Sequence, residues 1–309
     1  MTIALAILAV VVVGVIVANL WLGRLPRKPP MPGSTVSVQG RDLHYVERPG
    51  DGPVAVFIHG MPGLAEDWAR VFAVLAPGIR ALAFDRPGYG YSSGSPLSFD
   101  DQVDLVHEAL AELGVENALF VGHSYGAVFS LRMALRHPAA IDALVLTAPA
   151  AGGTRLLPER LKLARIVRRL QRPVIRQLAD LFFLRYVRSV AARAGAIGAY
   201  GTSPELADAR HRAESVLSRH NSIAALMNDR LEFNDVNRAL TPQLGEIAVS
   251  VTIIHGARDA SVPLRNGRRV QAALPNARLI EVADATHILP ETHPAKVADT
   301  VSEALARLQ

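Results

Sequence analysis

The sequence predicts an α/β fold, in which helices flank a mostly parallel sheet. Short apolar runs alternate with stretches of helical periodicity along most of the chain, a pattern typical of strands joined by crossover helices. Half of the 309 residues are hydrophobic and one fifth are charged, which excludes intrinsic disorder as the main state. The length suits one large domain or two average ones.

Eight segments have the composition of strands. The first two flank the tetrapeptide QGRD, which predicts an antiparallel hairpin. Later runs such as 54–59 (VAVFIH) are continuously apolar, as expected of strands that are buried on both faces of a parallel sheet. The eight segments are 35–38, 43–48, 54–59, 79–85, 117–122, 143–149, 249–256 and 277–284.

Predicted helices lie between these strands. The clearest runs from Phe99 to Leu113, where Val103, Val106 and Leu110 recur near helical spacing. Alternating strands and helices with buried strands indicate a mostly parallel, eight-stranded sheet. The other predicted helices are 64–75, 124–136, 263–273 and 294–308.

The interval 150–240 breaks the alternation, because it has no convincing strand and is helical in pattern. We predict that it forms a helical cap, inserted between a first core part at 34–149 and a second at 241–309.

Positive charge is concentrated in residues 155–193, the basic segment of the cap. Ten arginines and one lysine stand there against Glu159 and Asp180, a net charge of +9, while the whole chain carries +5. Two interpretations stay open: a solvated helix face, or a surface that lies on anionic lipid headgroups. Nucleic acid is not the predicted ligand, because aromatic residues are few and no nucleic-acid module is recognisable.

Residues 3–22 form a run of twenty residues without a charge. A helix of this length spans about 30 Å, the thickness of a bilayer core, and Trp21 suits the membrane interface. We therefore predict a single transmembrane anchor at 1–23. The alternative is a cleaved signal peptide, but no basic residue precedes the run and no A-x-A cleavage site follows it.

The ten residues after this run form a predicted linker at 24–33. Four prolines make it a stiff, extended spacer, so the folded domain is expected to begin near Ser34. Arg24, Arg27 and Lys28 directly follow the apolar run, and the positive-inside rule then places the domain on the cytoplasmic side.

The chain contains no cysteine. This excludes a disulfide scaffold, a thiolate nucleophile, an iron–sulfur cluster and a zinc site with cysteine ligands. We predict neither a metal nor an organic cofactor for this protein.

A G-x-S-x-G motif lies between a predicted strand and a predicted helix. Such a strand-to-helix turn is the context that a nucleophile elbow requires, with the serine in a strained conformation and small residues on both sides. The alternative is a glycine-rich loop whose serine caps the following helix. The motif comprises Gly122, His123, Ser124, Tyr125 and Gly126.

Together with three further motifs in the expected order, this elbow resembles the α/β-hydrolase superfamily over roughly residues 35–309. The first of the three, the oxyanion loop, follows the third strand. The resemblance implies that two backbone N–H groups, those of Met61 and Tyr125, form an oxyanion hole. The oxyanion loop comprises His59, Gly60, Met61, Pro62 and Gly63.

The remaining motifs follow the fourth, seventh and eighth strands. The stretch 85–92 (DRPGYGYS) resembles a family loop whose role is mainly structural, and we assign it no chemistry. Asp259, in HGARD, matches the family's catalytic acid, and His287, in DATH, its catalytic histidine; His293 is the weaker alternative. The order serine, aspartate, histidine is the one expected for this fold.

This resemblance implies a serine hydrolase with Ser124 as nucleophile, His287 as base and Asp259 as its orienting acid. The favoured substrate is a small-molecule or lipid-like carboxylic ester. Alternatives are a carbon–carbon bond hydrolase of the same superfamily and a non-catalytic binding protein on the same fold. The segment 59–68 is also similar to epoxide hydrolases and haloalkane dehalogenases, but those enzymes use an aspartate nucleophile, and Ser124 argues against both activities.

Overall fold

The computed structural model of the chain describes residues 2–22, 31–94, 96–153, 155, 185–217 and 219–308, with further positions between 162 and 182. All eight predicted strands are present in one sheet. They are Ser34–Val38 (β1), Arg41–Arg48 (β2), Val54–Ile58 (β3), Arg80–Phe84 (β4), Ala118–His123 (β5), Ile141–Thr147 (β6), Ser250–Gly256 (β7) and Ala277–Val282 (β8).

The sheet has the order β1-β2-β4-β3-β5-β6-β7-β8. Strand β2 runs antiparallel to both of its neighbours, which confirms the predicted amino-terminal hairpin. All later pairs, from β4 with β3 to β7 with β8, are parallel. The carboxyl ends of β3, β5, β6 and β7 therefore meet at one edge of the sheet, where polar loop residues can converge.

Helices follow most of the strands, as crossover connections require. The helices whose bounds the structure describes are Thr2–Leu22 (α1), Ala69–Val74 (α2), Phe99–Glu112 (α3), Tyr125–Arg136 (α4), Arg185–Tyr200 (α5), Ala207–Leu217 (α6), His220–Leu240 (α7), Leu264–Ala273 (α8), Leu289–Thr292 (α9) and Pro294–Ala306 (α10), and described positions between 162 and 177 are also helical. Short 3₁₀ turns lie at Ala65–Trp68, Pro138–Ala140, Pro204–Leu206 and Thr241–Glu246.

The central strands are apolar throughout because both of their faces are buried. In β3, Val56 and Ile58 belong to the apolar cluster on one face of the sheet, whereas Ala55 and Phe57 belong to the cluster on the other. All four side chains are fully buried. Such burial on both faces removes the alternation of polar and apolar residues that a half-exposed strand shows.

The predicted helix at 64–75 is less regular than its pattern indicates. A 3₁₀ turn at Ala65–Trp68 precedes α2, and Trp68 is fully buried with its ring centroid 5.1 Å from that of Phe57. The segment 59–68, which is similar to epoxide hydrolases, thus ends in a side chain of the protein core. The short helix α9 was not among the sequence predictions.

The apolar run at 3–22 forms helix α1, but the predicted membrane anchor is wrong. Among the residues that the structure describes, no helix combines the length and the apolar character needed to cross a bilayer. The carboxyl-terminal part of α1 contacts α5, where buried Asn19 accepts a hydrogen bond of 3.1 Å from the backbone N–H of Tyr186. The single-pass membrane localisation with a cytoplasmic domain is corrected accordingly, and most of the predicted linker at 24–33 lies outside the described residues.

The described part of the cap, 150–240, contains helices α5, α6 and α7 and no strand. Part of the basic segment lies outside the described residues, and the exact boundaries of the cap and of the two core parts stay predictions. One contact between cap and core is the hydrogen bond of 2.7 Å from the Tyr200 hydroxyl, at the end of α5, to Asp67 Oδ1.

Asp67 is a buried carboxyl group at this junction. Burial raises its pKa to about 7, although hydrogen bonds from Tyr200 and from the backbone N–H of Leu64 oppose the rise. The folded state therefore holds a proton on Asp67 up to about pH 7, whereas the unfolded chain releases it at about pH 4. The contribution of this group to stability is complete below about pH 4 and is lost as the pH rises to about 7.

We expect Asp67→Asn to remove this part of the pH dependence of stability. Chemical denaturation between pH 4 and pH 8 measures the free energy of unfolding of the wild type and of the variant. The wild-type value minus the variant value should decrease as the pH rises and become constant above about pH 7. The matched control is Asp299→Asn, the same substitution at an exposed position of α10 away from this junction. A difference for Asp67→Asn that does not change with pH, or that changes no more than the difference for the control, would contradict this assignment.

Candidate active site

Ser124 occupies the sharp turn between strand β5 and helix α4. Its backbone has φ 54° and ψ −112°, a conformation that L-residues rarely adopt and that stores strain. The turn is held from both sides, because the Ser124 N–H donates to the carbonyl of Thr147 at 2.9 Å and its carbonyl accepts from the N–H of Ala150 at 3.0 Å. The serine is 8% exposed, so its side chain lies in a nearly closed site.

Two glycines of the elbow are required by the close approach of backbone segments. A Cβ on Gly126 would lie 2.2 Å from the carbonyl oxygen of Ile58, at the end of β3. A Cβ on Gly122 would lie 2.5 Å from the carbonyl oxygen of Gly126. Both distances are far below van der Waals contact, so helix α4 can begin at this place only with glycine at both positions.

The three side chains predicted to act together lie in one chain of hydrogen bonds. His287 Nε2 is 3.0 Å from Ser124 Oγ, and His287 Nδ1 is 2.7 Å from Asp259 Oδ2. Because a carboxylate can only accept, the Nδ1–H donates to Asp259 and leaves Nε2 free to accept the serine proton. This is the relay geometry of a general base beside a nucleophile.

Asp259 is held as an anion by several donors. The backbone N–H groups of Ser261 and Val262 each donate to its Oδ1 at 2.8 Å, while Oδ2 faces His287. Burial by itself would raise the pKa of Asp259, but the hydrogen bonds with His255, His287 and Val262 hold it well below its ordinary value. A permanently charged Asp259 can orient the His287 ring and stabilise its protonated form.

Two further histidines surround the relay without joining it. His255 Nε2 donates to the carbonyl of Val262 at 2.8 Å. The same nitrogen lies 3.4 Å from Asp259 Oδ2, so His255 contacts the carboxylate of the acid but not Ser124 or His287. The ring of His123, in the elbow, lies 4.9 Å from that of His287. Burial and the neighbouring His287 lower the pKa of His123 to about 3, which keeps this ring neutral at physiological pH.

The oxyanion loop passes directly beside the serine. A Cβ on Gly60 would lie 3.2 Å from Ser124 Cβ, and one on Gly63 would lie 2.9 Å from His59 Nδ1. The peptide bond between Met61 and Pro62 is cis. The two glycines thus let the loop backbone approach both the serine and the buried His59 ring.

The buried ring of His59 holds this loop in place through hydrogen bonds at both of its nitrogen atoms. Its Nε2 accepts a hydrogen bond of 3.0 Å from the backbone N–H of Arg86, which leaves the proton on Nδ1, and Nδ1 lies 2.9 Å from the carbonyl oxygen of Gly60. Burial and the positive charge of Arg86 lower the pKa of His59 to about 3. His59 is therefore a neutral, structural residue.

The predicted oxyanion donors lie on the two segments that flank Ser124. Tyr125 is the first residue of α4, and an N–H in the first turn of a helix has no acceptor within the helix. Met61 directly follows Gly60 in the loop that touches Ser124. Both segments therefore present backbone to the space around the serine hydroxyl.

His293, the weaker candidate for the base, lies outside this arrangement. Its Nε2 is 3.5 Å from Asp284 Oδ1, and its Nδ1 is 2.9 Å from Thr292 Oγ1. Among the residues that the structure describes, no group of three or more His, Asp and Glu side chains is arranged to hold a metal. The absence of a cofactor stays a prediction.

A buried polar cluster next to the site could not be predicted from the sequence. Arg86, in the stretch 85–92, contacts Asp229 of helix α7 at 2.7 Å and the carbonyl of Gly60 at 3.1 Å. Tyr89 and Gln102 complete the cluster. An arginine directly after a buried strand was the available signal for Arg86, whereas no local pattern marks Asp229.

Several known proteins are similar to this chain in sequence or in fold. The bifunctional epoxide hydrolase 2 of Rattus norvegicus is 36% identical over 110 residues, which are 34% of this chain and 20% of that protein, so the chain spans about one fifth of this relative's length. The 2-hydroxymuconate semialdehyde hydrolase of Pseudomonas sp. (strain CF600) is 28% identical over 264 residues, 83% of this chain and 88% of that protein. Among solved structures, an esterase from Thermogutta terrifontis shares the fold with a TM-score of 0.71 at 18% identity, covering 89% of this chain and 97% of that chain.

The family assignment covers most of the molecule. The sequence model of the alpha/beta hydrolase fold matches residues 53–294, from the start of β3 to the start of α10. This chain therefore belongs to the alpha/beta hydrolase fold family of enzymes.

Proposed function

We propose that this protein is a serine hydrolase that cleaves a carboxylic ester through an acyl-enzyme on Ser124. The observation that carries the proposal is the continuous relay from Ser124 Oγ to His287 Nε2 at 3.0 Å and from His287 Nδ1 to Asp259 Oδ2 at 2.7 Å. A relay of this kind supports nucleophilic attack on an acyl carbonyl.

The reaction proceeds in two halves. In the first, His287 takes the Ser124 proton while Oγ attacks the carbonyl carbon, and the protonated His287 then gives that proton to the departing alcohol. In the second, His287 takes a proton from water, the hydroxide adds to the acyl-enzyme, and the acid leaves as Ser124 is reprotonated. The Met61 and Tyr125 N–H groups stabilise the oxyanion in both halves, and one such donor typically lowers the barrier by about 3–4 kcal/mol.

Ser124 favours acyl chemistry over epoxide or halide displacement. The match to the rat epoxide hydrolase covers 34% of this chain. Opening an epoxide at Ser124 would require a neutral hydroxyl to displace a carbon–oxygen bond without a carbonyl to attack, and hydroxyl groups are weak nucleophiles for such steps.

A second candidate function is hydrolysis of a carbon–carbon bond next to a carbonyl group. It is favoured by the likeness to the 2-hydroxymuconate semialdehyde hydrolase, which covers 83% of this chain. The same three residues can serve both reactions, so the two candidate functions are distinguished by the substrates that the protein turns over. Turnover of vinylogous diketo acids with no turnover of simple esters would favour this second function.

The described part of the basic segment supports an anionic group in the substrate. Arg165, Arg168 and Arg169 are exposed and, together with Leu231 of α7, line a cleft of about 450 Å³, the arginine cleft. Residues at positions i, i+3 and i+4 share one face of a helix, which brings the three guanidinium groups together. Guanidinium groups bind phosphate and carboxylate through paired hydrogen bonds.

The arginine cleft lies close to the proposed oxyanion hole through a shared apolar cluster. Ala164, next to Arg165, is buried in this cluster, and Leu231 and Met61 pack against it. An ester whose headgroup carries a phosphate could therefore place its headgroup in the cleft and its carbonyl beside Ser124. We propose such esters, lipid-like or soluble, as the preferred substrates.

The test of the nucleophile is Ser124→Ala. We expect kcat for a p-nitrophenyl ester to fall by about 10⁴-fold or more, because the relay then has no nucleophile to activate. Labelling by a fluorophosphonate probe, which reacts with activated serines, should disappear at the same time.

The matched control is Ser302→Ala in helix α10, where the hydroxyl donates to the carbonyl of Ala298. It should keep both activity and labelling. Labelling that persists in Ser124→Ala, or well-folded wild-type protein that neither reacts with the probe nor cleaves any ester, would overturn the proposal.

The test of the arginine cleft is the triple variant Arg165→Gln, Arg168→Gln and Arg169→Gln. We expect kcat/KM for an ester with a phosphate headgroup to fall by about tenfold relative to a neutral ester with the same acyl chain, the equivalent of about one exposed charge-assisted hydrogen bond. A control variant with the same change in charge carries glutamine in place of three exposed arginines outside the cap, Arg265, Arg269 and Arg307. Equal losses in the two triple variants would contradict a specific role for the cleft.

A further inference from the structure

The peptide unit between Gly60 and Met61 is held from its carbonyl end. The carbonyl oxygen of Gly60 accepts a hydrogen bond of 2.9 Å from His59 Nδ1 and one of 3.1 Å from Arg86 Nη2. The C=O and N–H groups of a trans peptide are coplanar and point in opposite directions. Two donors on the carbonyl therefore set the direction of the Met61 N–H, the group assigned to the oxyanion hole. The positive charge on Arg86 also polarises this peptide and strengthens its N–H as a donor.

Arg86 is a fully buried cation, and one carboxylate balances its charge. Its Nη2 lies 2.7 Å from Asp229 Oδ2, and both side chains have 0% exposure. The Tyr89 hydroxyl donates to the same oxygen at 2.7 Å, and Gln102 Nε2 donates to Asp229 Oδ1 at 3.0 Å. A buried charge of this kind holds its place only while its partner is present, because the desolvation of an unpaired buried ion is strongly unfavourable.

The two partners belong to different parts of the fold. Arg86 follows strand β4 of the core, whereas Asp229 lies in helix α7, within the interval predicted as the cap. Asp229 of the predicted cap therefore contacts the Arg86 guanidinium, and the same guanidinium donates to the carbonyl of the Gly60–Met61 peptide beside Ser124.

The same guanidinium also contacts the residue that carries the other proposed donor. Its Cζ lies 5.3 Å from the centroid of the Tyr125 ring and 4.6 Å from that of the Tyr89 ring. The Tyr125 ring is packed between Phe99 and Phe233, with centroid distances of 5.1 and 5.2 Å. Arg86 thus touches both segments that flank the serine hydroxyl.

We propose that Arg86 and Asp229 are positioning residues that assemble the oxyanion hole when helix α7 is docked on the core. Asp229 holds Arg86 in place, and Arg86 fixes the Gly60–Met61 peptide and the start of helix α4. The inference rests on the proposed function, because it takes the Met61 and Tyr125 N–H groups as oxyanion donors. The new element is that stabilisation of the transition state depends on Asp229, a residue of the predicted cap that does not touch the reacting atoms.

The test is Asp229→Asn, which keeps the shape of the side chain and removes its charge. We expect kcat per active site for a p-nitrophenyl ester to fall by about 10- to 100-fold with KM changed by less than about threefold, a smaller loss than the deletion of a donor outright causes. The concentration of active sites is measured by titration with a fluorophosphonate, so that misfolded molecules are not counted when kcat is calculated.

A boronic acid inhibitor separates positioning from a general structural defect. Ser124 Oγ adds to the boron, the serine proton passes to His287, and the anionic tetrahedral boronate places an oxygen where the oxyanion forms. We expect the inhibition constant to rise in Asp229→Asn by the same factor by which kcat/KM falls, because both report on the oxyanion hole.

Two more variants keep the test decisive. Tyr89→Phe removes only one donor to Asp229, so it should fold even if Asp229→Asn does not, and should lower kcat by about threefold to tenfold with a matching change in boronate affinity. The control Asp235→Asn alters an exposed carboxylate of the same helix, which pairs with Arg238, and should leave kcat and boronate affinity unchanged.

The outcomes distinguish this inference from the proposed function. Wild-type protein that reacts with the fluorophosphonate and cleaves esters, while the folded Asp229 and Tyr89 variants keep wild-type kcat per active site, would overturn the inference alone. A fall in kcat without a change in boronate affinity would do the same. Failure of the well-folded wild type to react would overturn the proposed function and the inference with it.

Discussion

The close approach of Gly126 to the end of strand β3 is the constraint on which the site depends. The chain leaves β5, turns within one residue at Ser124 and starts α4 so near to the carbonyl of Ile58 that a Cβ on Gly126 would lie 2.2 Å from it. This packing forces Ser124 into its strained conformation and presents the hydroxyl at the carboxyl edge of the sheet. Strand β6, the parallel neighbour of β5, supports the turn, because the carbonyl of Thr147 at its end accepts a hydrogen bond from the Ser124 N–H.

Asp259 and His287 reach the serine because they follow strands that end at the same edge. Asp259 comes three residues after β7, and His287 comes five residues after β8. The backbone N–H groups of Ser261 and Val262 clamp the acid, and the acid sets which ring nitrogen of His287 carries the proton. The convergence of these three side chains therefore derives from the sheet order, with each loop contributing one polar side chain.

Much of this could be predicted from the sequence. The central strands are recognisable because burial on both faces makes them continuously apolar. The G-x-S-x-G turn is recognisable because the close approach of backbone segments leaves room only for glycine. The buried pair of Arg86 and Asp229 could not be predicted, since its members are 143 residues apart and no local periodicity connects them. The predicted membrane anchor is wrong, because among the described residues no helix is long and apolar enough to cross a bilayer. Hydropathy is a local property and also could not show that Asn19 of α1 accepts a hydrogen bond from the backbone of Tyr186.

The core and cap parts of this hydrolase meet through buried polar groups as well as apolar ones. Tyr200 donates to Asp67 in the segment after the oxyanion loop, and Asp229 binds Arg86 behind that loop. The first contact ends on a carboxyl group that accepts from the backbone N–H of Leu64, and the second ends on a guanidinium that donates to the carbonyl of Gly60. Under the proposed positioning role of Arg86 and Asp229, the predicted cap contributes to the geometry of the site in addition to any contact that it makes with a substrate.

The most direct measurement of the central claim is the mass of the enzyme during turnover. Rapid acid quenching of the wild type with a slowly hydrolysed ester, followed by peptide mass spectrometry, captures any covalent intermediate. The account predicts a mass increase equal to the acyl group on the peptide that contains Ser124. Turnover without a covalent adduct, or an acyl group on another residue, would contradict it.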